Sequence, residues 1–499
     1  MRLSFERTRA IQIRSASQSV VCLLLDFNHL ILAGDGRFTR PLPHFPHRII
    51  HSFIAPKYEF LNSNFRRTGE KLFKFRVLQH TVVALSGEEA RKVFFNDKRL
   101  NFNEGYRLFL GGAPQLSDIN MLDADDAAIK FFYKYFQLVL TKERIMNVLP
   151  FLLDGMHKRM QIWGSKGRIN PFKEIYDLVF WMTIRMASCS ELADDTEASA
   201  RFEENFWTLE QSSTPVALLL PWFPSRAKRN RERATRELYS MLQGYIDKRR
   251  NADVPSADTI DLLLQDGAED AEIIQFILSV IFAGVTNTGM IVCWILLYFD
   301  QNPEWKAKVS AEVHNLLCTR TDSTGVALLH ERLAALPMAA IEEETPALEL
   351  VIRETIRLIL ANGTVLRRNV AKELRIGDQI VPRDAFMAYN LADVHLDPEL
   401  YPDPTNFDPA RFEAGREEDK KTTFGYLGWG AGRHPCVGMK IAKLEIKMVV
   451  ALFLVGYDYK LVDANGHFPD PFPVRDPNDL LKARPMGKPC FIDFERIVD

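Results

Sequence analysis

One stretch constrains this 499-residue chain more than any other: Thr423–Val455, T-F-G-Y-L-G-W-G-A-G-R-H-P-C-V-G-M-K-I-A-K-L-E-I-K-M-V-V-A-L-F-L-V. A glycine-rich turn delivers a single cysteine, Cys436, to the start of an apolar helix. Gly428, Gly430, Gly432 and Gly438 allow a tight path that side chains would block. The helix start points free N–H groups and a positive dipole end at the sulfur, which favours thiolate over thiol. Such a sulfur suits a nucleophile or a metal ligand. Taken alone, the stretch also reads as a turn whose cysteine only packs. A dinucleotide-binding G-x-G-x-x-G that starts at Gly428 fails on Arg433. A zinc site needs further cysteines or histidines at ligand spacing, which the neighbourhood does not supply.

A 47% hydrophobic composition is ample for a large core. Lys+Arg 63 against Asp+Glu 65 argues against nucleic acid as a partner. Six scattered cysteines (Cys22, Cys189, Cys293, Cys318, Cys436, Cys490) show no paired spacing, so a reducing compartment fits better than a disulfide framework.

Near the N-terminus, Arg2, Arg7, Arg9 and Arg14 precede an apolar stretch, Ser19–Ala33, interrupted by Asp26, Asn28 and His29. It falls short of the ~20 apolar residues of a spanning helix. Pro41–Pro46 (P-L-P-H-F-P) follows as a hinge-like segment. Short strands are expected at Phe73–Val77 and Thr81–Leu85, then a helix over Gly87–Phe95. Helical patterns follow at Ala127–Leu140, Glu143–Trp163, Phe172–Ser188, Arg201–Gln211 and Arg226–Arg249, with a proline-rich apolar segment at Ser212–Ser225. Ala271–Phe299 carries no charge from Ile273 onward, and hydropathy alone would place it across a membrane. Its middle, Ala283-Gly284-Val285-Thr286-Asn287-Thr288-Gly289, spends helix propensity on two glycines and three polar residues, which points to a buried central helix with a job. Thr345 and Pro346 are expected as N-cap and N1 of a helix through Leu360 that contains Glu354-Thr355-Ile356-Arg357. Glu and Arg at i, i+3 ordinarily form a solvated pair worth ~0.2–0.5 kcal/mol. Downstream lies Phe407-Asp408-Pro409-Ala410-Arg411-Phe412.

Taken together and in this order, these segments resemble the cytochrome P450 family. The cysteine loop matches aromatic, Gly, x, Gly, x, Arg or His, x, Cys, x, Gly as Trp429, Gly430, Gly432, His434, Cys436 and Gly438, with Trp429 for the usual Phe and Pro435 before the cysteine. The long apolar helix is similar to the family's distal helix, and Glu354, Arg357 and Arg411 match its Glu-x-x-Arg and Phe-x-Pro-x-Arg-Phe elements.

The resemblance implies a mainly α fold with a small β-rich lobe, residues 1–48 as an N-terminal anchor and hinge, and residues 49–499 as a haem-thiolate monooxygenase domain. It implies haem b on Cys436, with Gly430, Arg367 and His434 also at the cofactor and His434 and Arg367 on its propionates. Glu354, Arg357 and Arg411 are expected to form one buried network. Ala283 and Gly284 are expected to clear space for O2. The family's acid and alcohol fall on Thr286 and Asn287, so proton delivery passes to Asn287, with Thr286 or Thr288 as substitutes. The family's Trp-x-x-x-Arg has no counterpart in Ala127–Leu140, where Lys134 could stand in and a solvated helix face explains it equally well.

Asn101–Asn120, Asn205–Trp222 and Asn362–Leu366 are expected as walls for a lipophilic substrate: a terpenoid, sterol or polyketide of secondary metabolism. Electrons are expected from NADPH-cytochrome P450 reductase at the cytosolic face of the endoplasmic reticulum membrane. Lys440, Lys443 and Lys447 share one helix face just beyond Cys436 and are expected to present it with a positive patch. An alternative is a haem-thiolate isomerase or dehydratase acting on a peroxide without external electrons; a haem sensor is a third class.

Overall fold

The computed structural model describes residues 57–77, 80–106, 126–212, 223–253, 256–321, 327–371, 373–476 and 483–498. The expected anchor and hinge in residues 1–48 lie outside the described residues, as do most of Asn101–Asn120 and the second half of Asn205–Trp222.

In chain order, α1 (Lys57–Thr68), β1 (Leu72–Val77), β2 (His80–Leu85), α2 (Glu88–Asn96) and β3 (Leu100–Asn101) come first. Helices then dominate: α3 (Asp126–Val139), α4 (Lys142–Gln161), α5 (Pro171–Ala187), α6 (Thr196–Gln211), α7 (Arg226–Arg250), α8 (Thr259–Gln265), α9 (Asp270–Gln301), α10 (Pro303–Arg320) and α11 (Pro346–Leu360), with strand β4 (Lys166–Ile169) before α5. Four strands follow, β5 (Thr364–Asn369), β6 (Glu373–Ile376), β7 (Gln379–Pro382) and β8 (Phe386–Asn390). The chain finishes with a small hairpin, β9 (Gly430–Ala431) and β10 (His434–Pro435), then α12 (Met439–Gly456), β11 (Tyr457–Val462) and β12 (Phe491–Arg496).

Two compact units result: Met1–Phe102 with Thr364–Tyr389, and Asn103–Gly363 with Asn390–Asp499. The first holds a five-stranded sheet ordered β1-β2-β8-β5-β3. Its β1–β2 hairpin is antiparallel (Phe73 opposite Ala84), whereas β2 and β8 run parallel (Val83 opposite Met387). Its strands bury apolar residues, among them Phe73, Phe75, Val83, Phe386 and Tyr389, and Phe94 of α2 packs against Tyr389.

In the helical unit, α9 is the axis. Glu269 and Glu272 form a capping box at its start, with the Glu269 N–H donating to Glu272 Oε2 at 2.9 Å. The helix is long and apolar enough to cross a membrane, yet 72% of its most apolar window is buried within the protein, as befits a core helix. It packs along α5 and also meets α7, α10, α11 and α12. The two mid-helix glycines permit that approach: a Cβ on Gly289 would sit 3.1 Å from Tyr176 Cδ1, and one on Gly284 would sit 3.1 Å from Thr183 Cγ2. Gly284 is therefore spent on the fit against α5.

At the start of α11, Thr345 and Pro346 take the N-cap and N1 positions as expected, but the Thr345 side chain does not cap; its hydroxyl donates back to the Ile341 carbonyl at 2.8 Å. The cap comes from α10, where Glu312 accepts from the N–H groups of Ala347 (2.7 Å) and Leu348 (3.0 Å). A carboxylate satisfies two otherwise orphaned donors and complements the helix dipole. Glu312→Ala is accordingly expected to destabilise the protein by about 1–2 kcal/mol. Glu312→Gln, which keeps an acceptor, should lose less; equal losses in urea denaturation would show that the carboxylate charge carries the whole effect and a neutral acceptor contributes nothing.

Candidate active site

On α11, Glu354 and Arg357 face inward and are both 0% exposed, so this i, i+3 pair is not the solvated kind. Arg357 Nε donates to Glu354 Oε2 and Nη2 to Oε1, each at 2.7 Å, while Nη1 reaches the carbonyls of His395 (2.5 Å) and Pro404 (2.7 Å). Arg411, on a 3₁₀ turn over Pro409–Phe412, donates from Nε to Glu354 Oε1 at 3.3 Å and from Nη1 to Glu418 Oε2 at 3.1 Å. Burial alone would lower the Arg357 guanidinium, but the bidentate bond and charge of Glu354 more than offset it and hold it above its ordinary value.

This network is tied to the cysteine loop. His395, whose carbonyl accepts from Arg357, takes the Leu427 N–H on its Nε2 at 2.9 Å. Tyr401 lies under the Arg357 guanidinium, 4.9 Å from its ring centroid, and donates its hydroxyl to the Gly425 carbonyl at 2.8 Å. Arg353, one turn before Arg357, covers Phe412 and Tyr426 at 4.2 and 5.2 Å and binds Asp419 at 2.7 Å. Sequence reasoning missed His395, Tyr401, Glu418 and Asp419; none sits in a motif, and only folding brings them in.

The loop itself closes as the β9–β10 hairpin, with His434 opposite Ala431 and Pro435 opposite Gly430. The Cys436 N–H donates to the Trp429 carbonyl at 2.7 Å, extending the ladder by one residue. Although Cys436 is exposed as a residue, enough protein surrounds the sulfur that desolvation raises its thiol above the usual value, against a hydrogen bond from the Gly438 N–H. The helix start thus donates to the sulfur as expected, but without a metal it does not win over burial. An iron changes the balance, since a coordinating thiol is deprotonated outright.

Along α9, Thr286 and Thr288 are buried, and Thr286 donates to the Phe282 carbonyl at 3.2 Å. Asn287 is exposed, as is Ala283 one turn earlier, and its Nδ2 donates to the Ala283 carbonyl at 2.8 Å. That leaves Oδ1 without a hydrogen-bond donor among the described residues. In the sheet-bearing unit, Arg367 on β5 is buried, with its guanidinium over Phe102 (4.6 Å) and Phe94 (5.2 Å) and a 2.7 Å bond to the Leu366 carbonyl.

A family model described as Cytochrome P450 matches residues 41–483. The chain belongs to the cytochrome P450 family. It is 30% identical to cytochrome P450 monooxygenase nsrP of Aspergillus novofumigatus, over 79% of this chain and 77% of that one. Cytochrome P450 monooxygenase AacuE of Aspergillus aculeatus is 29% identical over 88% of this chain and 89% of its own. Retinoic acid-bound cyanobacterial CYP120A1 shares the fold, with a TM-score of 0.67 at 19% identity, covering 92% of this chain and 100% of that one. The protein is therefore a P450 monooxygenase, an enzyme whose family implies a haem cofactor, a redox partner and a lipophilic substrate.

The residues present fit a haem. No group of three or more His, Cys, Asp or Glu among the described residues could hold a bare ion, whereas an iron already carried by a porphyrin needs only the one sulfur that Cys436 offers. Trp429, across the hairpin from that cysteine, keeps its indole N–H buried with no protein acceptor among the described residues.

Two sequence readings around this P450 site are corrected. Lys134 is engaged in an ion pair with Asp266, which accounts for it on an exposed helix face without any cofactor. The lysine row is not one exposed patch: Lys440 is exposed, Lys443 is bound to Glu349, and Lys447 is buried, donating to the Ile341 and Glu342 carbonyls at 3.1 and 3.4 Å. Because α12 is enclosed beyond its first turn, a lysine three turns in must find partners inside, and burial lowers the Lys447 ammonium.

Proposed function

We propose that this P450 inserts one oxygen atom from O2 into a lipophilic substrate of the terpenoid, sterol or polyketide type in secondary metabolism. Electrons come from NADPH-cytochrome P450 reductase, and the cofactor is haem b, at the cytosolic face of the endoplasmic reticulum membrane. The observation that carries the reading is the presentation of Cys436 on a glycine hairpin, with Gly438 donating to its sulfur. When bound, the haem supplies oxygen activation, promoted by electron donation from the thiolate. Around it, Cys436 holds the iron, Gly430 gives the hairpin its close path, and Arg367 and His434 offer charge-assisted bonds to the propionates. Asn287 holds a water on its free Oδ1 and so delivers protons, while buried Thr286 and Thr288 are the substitutes.

Cys436→Ser should abolish the absorption that CO gives with reduced thiolate-ligated haem; survival of that band would reassign the ligand. Lipophilic substrates should turn over only with NADPH and reductase present, and conversion of a peroxide without electrons would establish the isomerase alternative. Asn287→Ala should keep haem and substrate binding yet divert about tenfold more of the reducing equivalents into hydrogen peroxide, less than the ~10²–10⁴ usual for a positioned proton donor because Thr286 and Thr288 stand as substitutes. Unchanged coupling moves the role to Thr286 or Thr288.

A further inference from the structure

One side of α9 is used neither by packing nor by the network around Cys436. Between Ile273 and Met290 the open positions recur every four residues: Gln275, Ser279, Ala283 and Asn287, with Val280 and Phe282 beside them and Gly284 turned toward α5. The rest of that span is buried. Residues four apart share a helix face, so these positions form one row. At 1.5 Å per residue the row runs about 12 Å from Asn287 to Ser279 and about 18 Å from Asn287 to Gln275.

Two members of the row hold unused polar groups. Gln275 Oε1 is buried with no hydrogen-bond partner among the described residues. The Ser279 hydroxyl makes no hydrogen bond among them either. A hydroxyl in mid-helix commonly bonds the carbonyl one turn back. Thr183, Ser188 and Thr286 do so in this chain, at 2.8, 2.6 and 3.2 Å. Ser279 keeps its hydroxyl free for something outside the helix.

The plain alternative is a row filled by water. A held water wants two to four polar partners. Val280 and Phe282 offer none, and Phe282 meets Phe206 of α6 with ring centroids 6.4 Å apart. Two polar groups in an apolar wall fix the orientation of a lipophilic ligand better than they hold solvent. The segment carries no charge from Ile273 to Phe299, so the matching groups on the ligand are neutral hydroxyls or carbonyls, not carboxylates or phosphates. Ser279 and Gln275 stand one turn apart, about 6 Å along the axis. That spacing suits two oxygens at opposite positions of one six-membered ring. A sterol offers a single oxygen at its remote end, and a hydrocarbon terpenoid offers none.

We propose that Ser279 and Gln275 hydrogen-bond two oxygen functions on the remote ring of an already oxygenated polycyclic polyketide, leaving its other end at Asn287. The proposal rests on the monooxygenase reading and narrows its substrate class. The probes are quinizarin, an anthraquinone with hydroxyls at opposite positions of one ring, its oxygen-free counterpart anthracene, and cholesterol. Equilibrium dialysis measures their affinities for the full-length haem-loaded protein, for Ser279→Ala and for Ser279→Ala/Gln275→Leu. A neutral hydrogen bond contributes about fivefold, so the single variant should lose about fivefold for quinizarin and the double variant about 30-fold. Anthracene should bind all three proteins alike. Ser279→Ala removes one exposed-side oxygen and keeps the test open should the double variant not fold. Undiminished quinizarin binding would leave the row to solvent. An equal loss for anthracene would trace the effect to pocket shape, and a larger loss for cholesterol than for quinizarin would make the ligand a sterol. Each of these three results overturns the proposal. The absorption band that CO gives with reduced haem is recorded on the same samples, so failure of the monooxygenase reading shows there and failure of this inference shows only in the dialysis.

Discussion

Glu354→Ala is expected to be the most damaging single substitution in the protein. Glu354, Arg357, Arg411 and Glu418 are all at most 4% exposed, and Glu418 is shared with the half-exposed Arg416 at 2.7 Å, so Glu354 is the one carboxylate that both buried guanidiniums share. Removing Glu354 strands two guanidiniums with one carboxylate and also orphans the Asp408 N–H, which donates to Oε1 at 3.0 Å. Breaking a buried pair costs about 3–5 kcal/mol, against a total stability of about 5–15 kcal/mol for a folded domain. Urea or thermal denaturation should therefore show a midpoint collapse, with haem content lost in parallel because His395 and Tyr401 tie this network to the loop before Cys436. Glu354→Gln keeps acceptors but not charge and should fall between. A loss below about 1 kcal/mol for the alanine variant would mean that water replaces the carboxylate and the network is not closed.

Gly430→Ala should spare the fold and disable the site. Gly430 has φ +70°, and a Cβ there would stand 2.5 Å from the His434 carbonyl oxygen and 3.4 Å from Pro435 Cα, both backbone atoms that cannot swing aside. The hairpin must open, and with it the 2.7 Å bond from the Cys436 N–H to the Trp429 carbonyl. Gly415→Ala is the control: its φ of +93° imposes similar backbone strain, but nothing lies within 4 Å of the added carbon. Both variants should show normal helical circular dichroism and modest destabilisation of about 1–2 kcal/mol from the strained backbone. Only Gly430→Ala should bind about a tenth or less of the normal haem, a discrimination worth ~1.4 kcal/mol at the ligand. Matching haem content in the two variants would show that the hairpin tolerates a side chain.

What the sequence alone disclosed here is whatever rests on local spacing. Helix periodicity located α4, α5, α7, α9 and α11 to within a few residues, and the glycine spacing singled out the turn that the structure forms as the β9–β10 hairpin before Cys436. Contacts between distant segments were not legible. Glu312 caps a helix 34 residues further on, and Glu418 joins Arg411 only because the chain folds back over a 3₁₀ turn. The same limit explains the lysine row, since spacing places Lys440, Lys443 and Lys447 on one face but does not say what covers that face. Nor did spacing disclose what faces Gly284, expected to clear space for O2: a Cβ there would stand 3.1 Å from Thr183 Cγ2.

The parallel pairing of β2 with β8 has a consequence for how the chain is made. β2 ends at Leu85 and its partner begins at Phe386, so about 300 residues must leave the ribosome before that edge can close. At roughly 5–20 residues per second, the N-terminal hairpin waits on the order of 15–60 s with an apolar strand edge open. Val82, Val83, Ala84 and Leu85, covered in the finished sheet, are then an exposed apolar edge open to aggregation. Chaperone demand during expression should follow the integrity of this sheet, so a chain truncated just before Phe386 would accumulate as insoluble material even with its entire distal helix in place.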